Sequence, residues 1–435
     1  MRFSAPTLLV ALLAACSSSQ VTLGLDVGDE KDALTRDPKV VTLTADVVDT
    51  SGTRTTLGTA TLPADTIDLS DAPKTNFLHV EITGKDATNA RVLFGRTVVL
   101  QLGAAAGNTL PIFVQRTGSW ARLPSPLADS RSHPLVIPTT RTVLVGGGDE
   151  KQSQQVLTGY DFATLKALGA YGTTVAARSL VIANAAALLI GTGLGDDTKV
   201  SAVGYDLANA ALFTFAVPSG GTLEEIVGGP TVQGDDGESY VVGPARATGT
   251  KTTRVLKVAK DGTATFLSFN QARLGAAAAW IKGFGLLVVG GGADKGAEIL
   301  PKGATVSNVI ELPTDPTVGA SLAQLDDTHA IVVGGDQGGG TGAPSRIINP
   351  RCLTGCTADP WGANLPFTST STQLFGLDAS SALLLAEDGT GATHTFVVDA
   401  KTITEIPTRI ARHGARATRG PLGNIVLAGG GSGTL

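Results

Sequence analysis

The sequence has little sulfur, few aromatic rings and little charge. Its 435 residues include one methionine, at the first position, and three cysteines, while aromatic residues make up 5% and charged residues 16%. Soluble domains usually have about a quarter of their residues charged, so this chain is unusually neutral. The formal net charge of −5 argues against nucleic acid as a partner and against a polybasic membrane patch.

Long apolar runs are also missing, since no stretch approaches the 18 residues that a membrane-spanning helix needs. The longest near the start, Ala5 to Ala15, has 11 residues, follows Met1-Arg2 and ends at Cys16. As a helix it would span about 16 Å, roughly half of a hydrocarbon core of about 30 Å. This pattern is typical of a secretory signal peptide. The ending Leu13-Ala-Ala-Cys16 resembles the lipobox of bacterial lipoproteins, and an ordinary cleaved signal with a coincidental cysteine is the alternative.

The lipobox resemblance implies that Cys16 becomes the lipidated first residue of an exported protein. Two or more acyl chains give stable membrane attachment where one does not. Ser17 follows the cysteine, where an aspartate would favour retention in the inner membrane. The resemblance therefore predicts an outer-membrane lipoprotein of the cell envelope, whose first partner is the membrane, through the N-terminal lipid.

Motifs of catalysis and metal binding are absent as well. No two of the five histidines lie at metal-binding spacing on one strand or helix, and neither a Gly-x-Ser-x-Gly elbow nor a phosphate-binding loop occurs. We therefore predict no catalytic residue, no metal site and no cofactor. Enzymatic activity is left uncertain and is the less favoured interpretation.

Glycine, in contrast, is abundant, with 55 residues, and it marks a repeat. An apolar run of three to five residues ends in glycine, or once in alanine, at intervals of 43 to 52 residues. A period in this range is typical of the blades of a β-propeller. The closing residues of the seven runs are Gly146, Gly191, Gly243, Gly290, Gly334, Ala386 and Gly429.

The surroundings of these runs predict four short strands per unit. A polar Gly/Asp turn follows each run, and further strand candidates come next, such as Gln155–Asp161 and the alternating segment Ala211–Val217. The pattern resembles the kelch family of propeller repeats, although the diglycine is intact in only four of the seven units. The resemblance implies an all-β chain with a seven-bladed kelch-like β-propeller. Six blades are the alternative, if the weak unit around Ala386 is an insertion.

The N-terminal third predicts a separate β domain. Residues 40–109 alternate in strand fashion between turn signals, which suggests a small immunoglobulin-like β-sandwich. We predict a signal peptide at 1–15, a lipidated tether at 16–39, the sandwich at 40–109 and the propeller at 110–435. Val21 to Val27 is alternatively a first strand. Leu110–Gln115 and Ser119–Pro124 are predicted to complete the last blade, although Leu110–Gln115 could belong to the sandwich.

Two groups of side chains are candidate sites. Cys352 and Cys356 are predicted to form a disulfide, because an exported protein is oxidised and the spacing supplies no further zinc ligands. Aspartates that follow the glycine runs could form an acidic ring for calcium or a basic partner if their turns share one face, or they could simply shape the turns. The candidates for such a ring are Asp149, Asp196, Asp294 and Asp336.

Arginines also recur near the unit starts, at Arg178, Arg273 and Arg412. We expect them to pair with neighbouring turns, although a position around the propeller axis is the alternative.

Two functions fit these features. The first is a membrane-anchored binding or scaffold module, whose propeller loops contact an envelope protein or a glycan. The second is a carbohydrate-active enzyme with its site in the central depression of the propeller. A cluster of Arg, Asp or His side chains in the central pocket would favour the second.

Overall fold

In the computed structural model, the chain divides into two compact units, Met1–Thr117 and Gly118–Leu435. The structure describes residues 21–63, 66–68, 72–127, 131–149, 156–193, 196–244, 250–362, 364–369, 371–408 and 410–431. The proposed signal peptide and Cys16 lie outside these ranges. Within them the chain is all-β, and its helices are two short 3-10 turns, Leu102–Ala105 and Leu223–Glu225. No helix in the described ranges is long and apolar enough to cross a membrane.

The N-terminal unit contains eight strands joined in one sheet with the order β3-β2-β5-β6-β8-β1-β4, in which β7 pairs with β5. Alternate residues of these strands, among them Leu43, Val80 and Ile82, are almost completely buried in one apolar core. The strands are β1 Thr22–Asp26, β2 Thr42–Asp49, β3 Arg54–Thr61, β4 Thr66–Asp68, β5 Phe77–Lys85, β6 Arg91–Arg96, β7 Leu100–Gln101 and β8 Thr109–Arg116.

This sheet differs from the predicted sandwich. The first half of β8 pairs in parallel with β1, and its second half pairs antiparallel with β6, so β8 joins β1 and β4 to the other strands of the sheet. An immunoglobulin-like domain is therefore not confirmed. Leu110–Gln115 belongs to this unit and not to the propeller, as the alternative held. From Val21 onward the expected tether is part of the same unit, because β1 is a strand of the sheet.

The second unit is a β-propeller. Six of its sheets have four strands or more, and a seventh has two. The strands of the first three sheets are β9 Leu135–Pro138, β10 Thr142–Gly146, β11 Val156–Asp161, β12 Lys166–Ala167, β13 Tyr171–Gly172, β14 Val175–Ala183, β15 Ala186–Gly193, β16 Asp196–Asp206, β17 Ala211–Thr214, β18 Thr231–Gln233, β19 Ser239–Val242, β20 Thr252–Val258 and β21 Ala264–Arg273. The remaining strands are β22 Ala277–Ile281, β23 Gly285–Val289, β24 Ala297–Pro301, β25 Asn308–Ile310, β26 Ser321–Gln324, β27 Ala330–Val333, β28 Arg346–Ile348, β29 Ala358–Pro360, β30 Thr372–Gly376, β31 Ser381–Glu387, β32 Thr393–Asp399, β33 Ile403–Glu405, β34 Arg416–Arg419 and β35 Ile425–Ala428.

The second strand of each complete blade is the repeated apolar run of the sequence. Strands β19, β23 and β27 are buried along their whole length. A strand with neighbouring blades on both of its faces is apolar at every position, whereas a half-buried strand alternates. For this reason the runs read as continuous Val, Leu and Ile in the sequence.

Six blades are complete, and the last unit is only the hairpin β34–β35. The hairpin lies between the inner strands of the sixth and first blades, because β34 contacts both β30 and β9. The ring thus has seven inner strands but six full blades. The unit around Ala386 is a complete blade, β30–β33, so the missing strands belong to the last unit and not to the weak one.

The segment from Gly118 to Leu127 runs beside the hairpin without forming a strand. Trp120 donates from Nε1 to Thr395 Oγ1 at 3.0 Å and packs on the apolar cluster of Leu383, Leu385 and Ala417. Ala167 of the first blade donates its backbone N–H to Ser125 Oγ at 3.3 Å. The segment therefore crosses from the sixth blade to the first. The prediction that Ser119–Pro124 adds a strand to the last unit is wrong, but the segment does lie against that unit.

Cys352 and Cys356 form the predicted disulfide between β28 and β29, with their Cα atoms 5.8 Å apart. Cys356 also packs against the apolar core shared by the fourth and fifth blades. The bond closes a loop of a few residues, so it fixes one connection locally.

Candidate functional site at the mouth of the central channel

The seven inner strands surround a central channel with a volume of about 1570 Å³. Each inner strand begins at one face of the propeller, and each antiparallel second strand ends there. We call this the entry face. The diglycine turns follow the second strands, so they lie on the entry face together with the segments that lead into the inner strands.

Arginine side chains hold the diglycine turns of three units. Arg273 is 4% exposed and donates to the backbone oxygens of Gly290 and Lys295 at 2.6 and 2.9 Å, and to Glu298 Oε1 at 3.0 Å. Arg412 donates to the oxygen of Gly429 in the last unit. The expectation that these arginines pair with neighbouring turns is confirmed for both.

The corresponding arginine of the first blade, Arg131, was not recognised in the sequence. Its side chain is 1% exposed. It donates to the oxygens of Val145 and Gly147 at 3.3 Å, to that of Val156 at 3.0 Å and to Thr158 Oγ1 at 3.3 Å. It lies in a proline-rich and serine-rich stretch that reads as a loop, and this concealed the repeat.

His133 occupies a position that is glycine in the other aligned units. Each of these segments begins two residues before this position and leads into an inner strand two residues after it. At this position the backbone φ is +63°, +72° and +64° for the three glycines and +49° for His133. Residues other than glycine rarely adopt this left-handed backbone conformation. The aligned segments are Arg131–Pro134, Arg273–Ala276, Thr317–Ala320 and Arg412–Ala415.

The imidazole of His133 lies between two carboxylates from different blades. Nδ1 is hydrogen-bonded to Asp149 Oδ2, directly after the diglycine turn of the first blade. Nε2 lies 2.9 and 3.0 Å from the two carboxylate oxygens of Glu387 in the sixth blade. The ring also lies against Gly414, where a Cβ atom would come within 2.8 Å of Nε2.

Glu387 is the second departure from the repeat. It follows Ala386 at the end of β31. The four units with an intact diglycine have their second glycine at this position. Arg416 of the hairpin donates to Glu387 Oε2 at 3.3 Å and to Ser371 Oγ at 2.7 Å. Two positions at which the repeat loses a glycine thus meet in space, although they are 254 residues apart.

These contacts shift the pKa values of His133 and Glu387 in opposite directions. The hydrogen bond to Glu387 raises the pKa of His133 above its ordinary value, and the bond to Asp149 adds to this against the opposing effects of burial and of Arg416. Burial alone would raise the pKa of Glu387, but the bond from His133 and the charges of His133 and Arg416 outweigh it, so that pKa is lowered. Both shifts favour an imidazolium beside a carboxylate.

The structure places the four candidate aspartates differently. Asp149 is bonded to His133, and Asp336 is 4% exposed and accepts the backbone N–H of Gly338 at 2.8 Å. Asp294 is exposed, and Asp196 begins β16, with its side chain outside the described set. Within the described ranges, no group of three His, Cys, Asp or Glu side chains is arranged to hold a metal ion. Asp149 is therefore a partner of His133.

Arg178 also lies at the mouth of the channel, beside Asp149. Its Nη1 lies 3.9 Å from Asp149 Oδ1, and its side chain is 48% exposed. At this distance and exposure the ion pair is weak. Unlike Arg131 and Arg273, Arg178 lines the channel, so the alternative of a position near the axis holds for this arginine.

Comparisons with known proteins supply no family and no function for this chain. No family model matches the chain, and no curated protein matches it. One solved structure, that of BBS1N in complex with ARL6DN soaked with lead, aligns over 72% of this chain and 93% of its own, with 12% sequence identity and a TM-score of 0.43. We take nothing about ligands or partners from a similarity at this level.

Proposed function

We propose that this protein is a binding module that takes a neutral glycan at the entry-face mouth of its channel. The observation that carries the proposal is the balanced set of charges at the mouth. With His133 protonated, three cations face three carboxylates: His133, Arg178 and Arg416 against Asp149, Glu224 and Glu387. Such a mouth offers many donors and acceptors for hydroxyl groups but no net charge to attract an ion.

The same cluster supports a second candidate function, a carbohydrate-active enzyme, because Asp, His and Arg side chains do converge at the central pocket. The contacts favour binding instead. Both ring nitrogens of His133 are engaged by carboxylates, which leaves no free lone pair for a general base. Glu387 is held as a carboxylate by His133 and Arg416, so it lacks the proton that a general acid must supply.

A screen of the mature chain tests the binding proposal. The protein is applied to a glycan array and, in parallel, used for pull-downs from cell-envelope extract. Retention of one glycan class supports the proposal. A specific envelope protein with no glycan signal overturns the glycan assignment but keeps the binding role, and turnover of a bound glycan favours the enzyme. No specific ligand in either arm contradicts a binding role.

We propose further that the module is exported and anchored by lipid on Cys16, which the lipobox-like sequence supports. Replacing Cys16 with serine is expected to abolish incorporation of labelled palmitate and to move the protein from the membrane fraction to the soluble fraction, because two or more acyl chains supply the attachment. Fractionation and labelling in a bacterial host measure both. Ser17→Ala is the control and keeps the label. Equal membrane association of the Cys16→Ser variant and the natural chain contradicts the anchor.

A further inference from the structure

We propose that His133 is a pH-sensitive latch that closes the propeller ring, joining the first blade to the sixth across the two-stranded hairpin while its imidazole is protonated. The proposal does not depend on the ligand proposed above. It rests on the position of His133 at the closure of the ring and on the two carboxylates that its ring nitrogens contact.

The closure of the ring is where this propeller has the fewest strands. The hairpin β34–β35 stands in place of a four-stranded blade. Two backbone hydrogen bonds cross from it to the start of the first blade, from Gly430 N–H to the oxygen of Arg131 at 2.8 Å and from His133 N–H to the oxygen of Gly414 at 2.6 Å. His133 is part of one of these bonds and lies two residues from the other, so a shift of His133 loosens both.

The protonation state of His133 decides how many carboxylates it can bind. An imidazolium donates from both ring nitrogens, whereas a neutral imidazole donates from one and presents a lone pair at the other. Loss of the proton therefore leaves either Asp149 or Glu387 facing a lone pair. Only the contact with Glu387 crosses between blades. It loses either its donor or the charge of the imidazolium, so the bridge between the blades is weakened in both tautomers.

The other charged groups around His133 do not outweigh the effect of the two carboxylates, which favour the protonated imidazole. Arg416 of the hairpin contacts Glu387 and opposes protonation of His133. Arg178 of the second blade lies beside Asp149, and His413 precedes Gly414 beneath the ring. The carboxylates nevertheless raise the pKa of His133. A histidine whose pKa is raised in the folded protein contributes its full stabilisation of the folded state below its unfolded pKa of about 6.5. This stabilisation is lost as the pH rises through the folded-state pKa.

The acid limit of the latch comes from Glu387. Its pKa is lowered in the folded protein, so its contribution is complete above its unfolded pKa of about 4.3 and is lost only as the pH falls through the lower folded value. The latch is therefore fully closed between these two unfolded pKa values and opens as the pH rises from about 6.5 through the folded-state pKa of His133.

The repeat itself supplies the test variant. His133→Gly installs the residue that the other aligned units have at this left-handed position, so the backbone is relieved and the fold is preserved. His394 supplies the matched control, because its Nδ1 and Nε2 lie 2.9 Å from Glu405 and 3.1 Å from Asp388, both within the sixth blade. Burial lowers the pKa of His394, but its bonds to Glu405 and Asp388 outweigh this and raise it. His394→Asn thus removes a similar pair of bonds that crosses no blade boundary.

Hydrogen exchange of the full chain between pH 6 and pH 9, followed by mass spectrometry and corrected for intrinsic rates, measures opening at the hairpin. In the natural protein we expect peptides covering Arg416–Ala428 to exchange faster with rising pH, by up to about tenfold per pH unit above pH 6.5. In His133→Gly and in Glu387→Gln the corrected rate is expected to stay nearly constant. His394→Asn keeps the natural pH dependence. A flat profile in the natural protein, or an unchanged slope in His133→Gly, overturns the latch, as does loss of the slope in His394→Asn.

Discussion

Replacing Arg131 with methionine is expected to lower the free energy of unfolding of the propeller by about 4 kcal/mol. The side chain is 1% exposed and donates to three backbone oxygens and to Thr158. Each buried acceptor that loses a charged donor costs about 1.5–3 kcal/mol, and the losses are not fully additive. Methionine keeps much of the apolar volume, so the change isolates the lost hydrogen bonds.

Denaturant unfolding followed by tryptophan fluorescence measures this change in the propeller alone, because Trp120, Trp280 and Trp361 all lie in that unit. Arg178→Met is the matched control. That side chain is 48% exposed and 3.9 Å from Asp149, so its replacement should change stability by no more than about 0.5 kcal/mol. Equal losses in the two variants would show that the arginine beneath the diglycine turn is not a structural support.

Gly290→Ala is expected to cost about 3 kcal/mol or more. The residue has φ +78°, and an added Cβ would lie 2.5 Å from the backbone oxygen of Thr317, at the entrance to the next blade. A left-handed alanine alone costs about 1–2 kcal/mol, and the close contact with a backbone atom requires the neighbouring blades to separate. The N–H of Gly291 donates to that same oxygen at 2.8 Å, so separation also weakens this hydrogen bond.

Gly303→Ala separates the two causes. Its φ is +77°, almost the same as that of Gly290, but an added Cβ would meet nothing within 4 Å. We expect Gly303→Ala to lower the free energy of unfolding by only about 1 kcal/mol, the cost of the left-handed backbone conformation at alanine. The same fluorescence-monitored unfolding compares both variants. If they lose equal stability, close approach of the blades is not the reason for the conserved spacing of glycine in this repeat.

The architecture of the propeller could be predicted because one physical requirement repeats along the chain. A second strand covered on both faces must be apolar throughout, and the turn after it must pass close to the next blade, so runs such as Leu286–Gly290 return at near-constant spacing. The incomplete last unit was visible as well. The sequence did not show how the ring closes, because the alternating pattern of β8 fits a strand of either unit. Only the pairing of β8 with β1 and β6 assigns it to the N-terminal sheet.

The N-terminal sheet shows the same limit. Between Thr42 and Arg116 alternation predicted strands close to all of those observed except the short β4, but period-two patterns contain no information about which strands become neighbours. The parallel pairing of β1 with β8 joins Thr22 to Thr109, 87 residues apart. Such order depends on the tertiary packing of Val21, Leu23 and Ile112 in the common core.

The mouth of the channel was found only in the structure. A histidine and a glutamate 254 residues apart give no local motif, and each reads alone as an ordinary polar residue. The feature that marks them in the sequence is the absence of glycine, since both stand at positions where other units have glycine. The replacement costs backbone strain at His133, and such positions often mark function. Arg131 was missed for a related reason, because the two residues that follow it differ from those of the other arginine-containing units.

The position of the binding site at the entry-face mouth is tested by the affinity of the screened glycan for two single variants of the mature chain. Arg178→Ser removes the half-exposed cation at the entry-face mouth, whereas Lys282→Ser removes an exposed cation between β22 and β23 on the opposite face. Loss of a charged hydrogen-bond donor costs about 1.5–3 kcal/mol, so Arg178→Ser should weaken binding by about tenfold or more, with the melting temperature unchanged. Lys282→Ser should bind like the natural protein. Unchanged affinity in Arg178→Ser together with weakened affinity in Lys282→Ser would place the site on the other face and contradict the account.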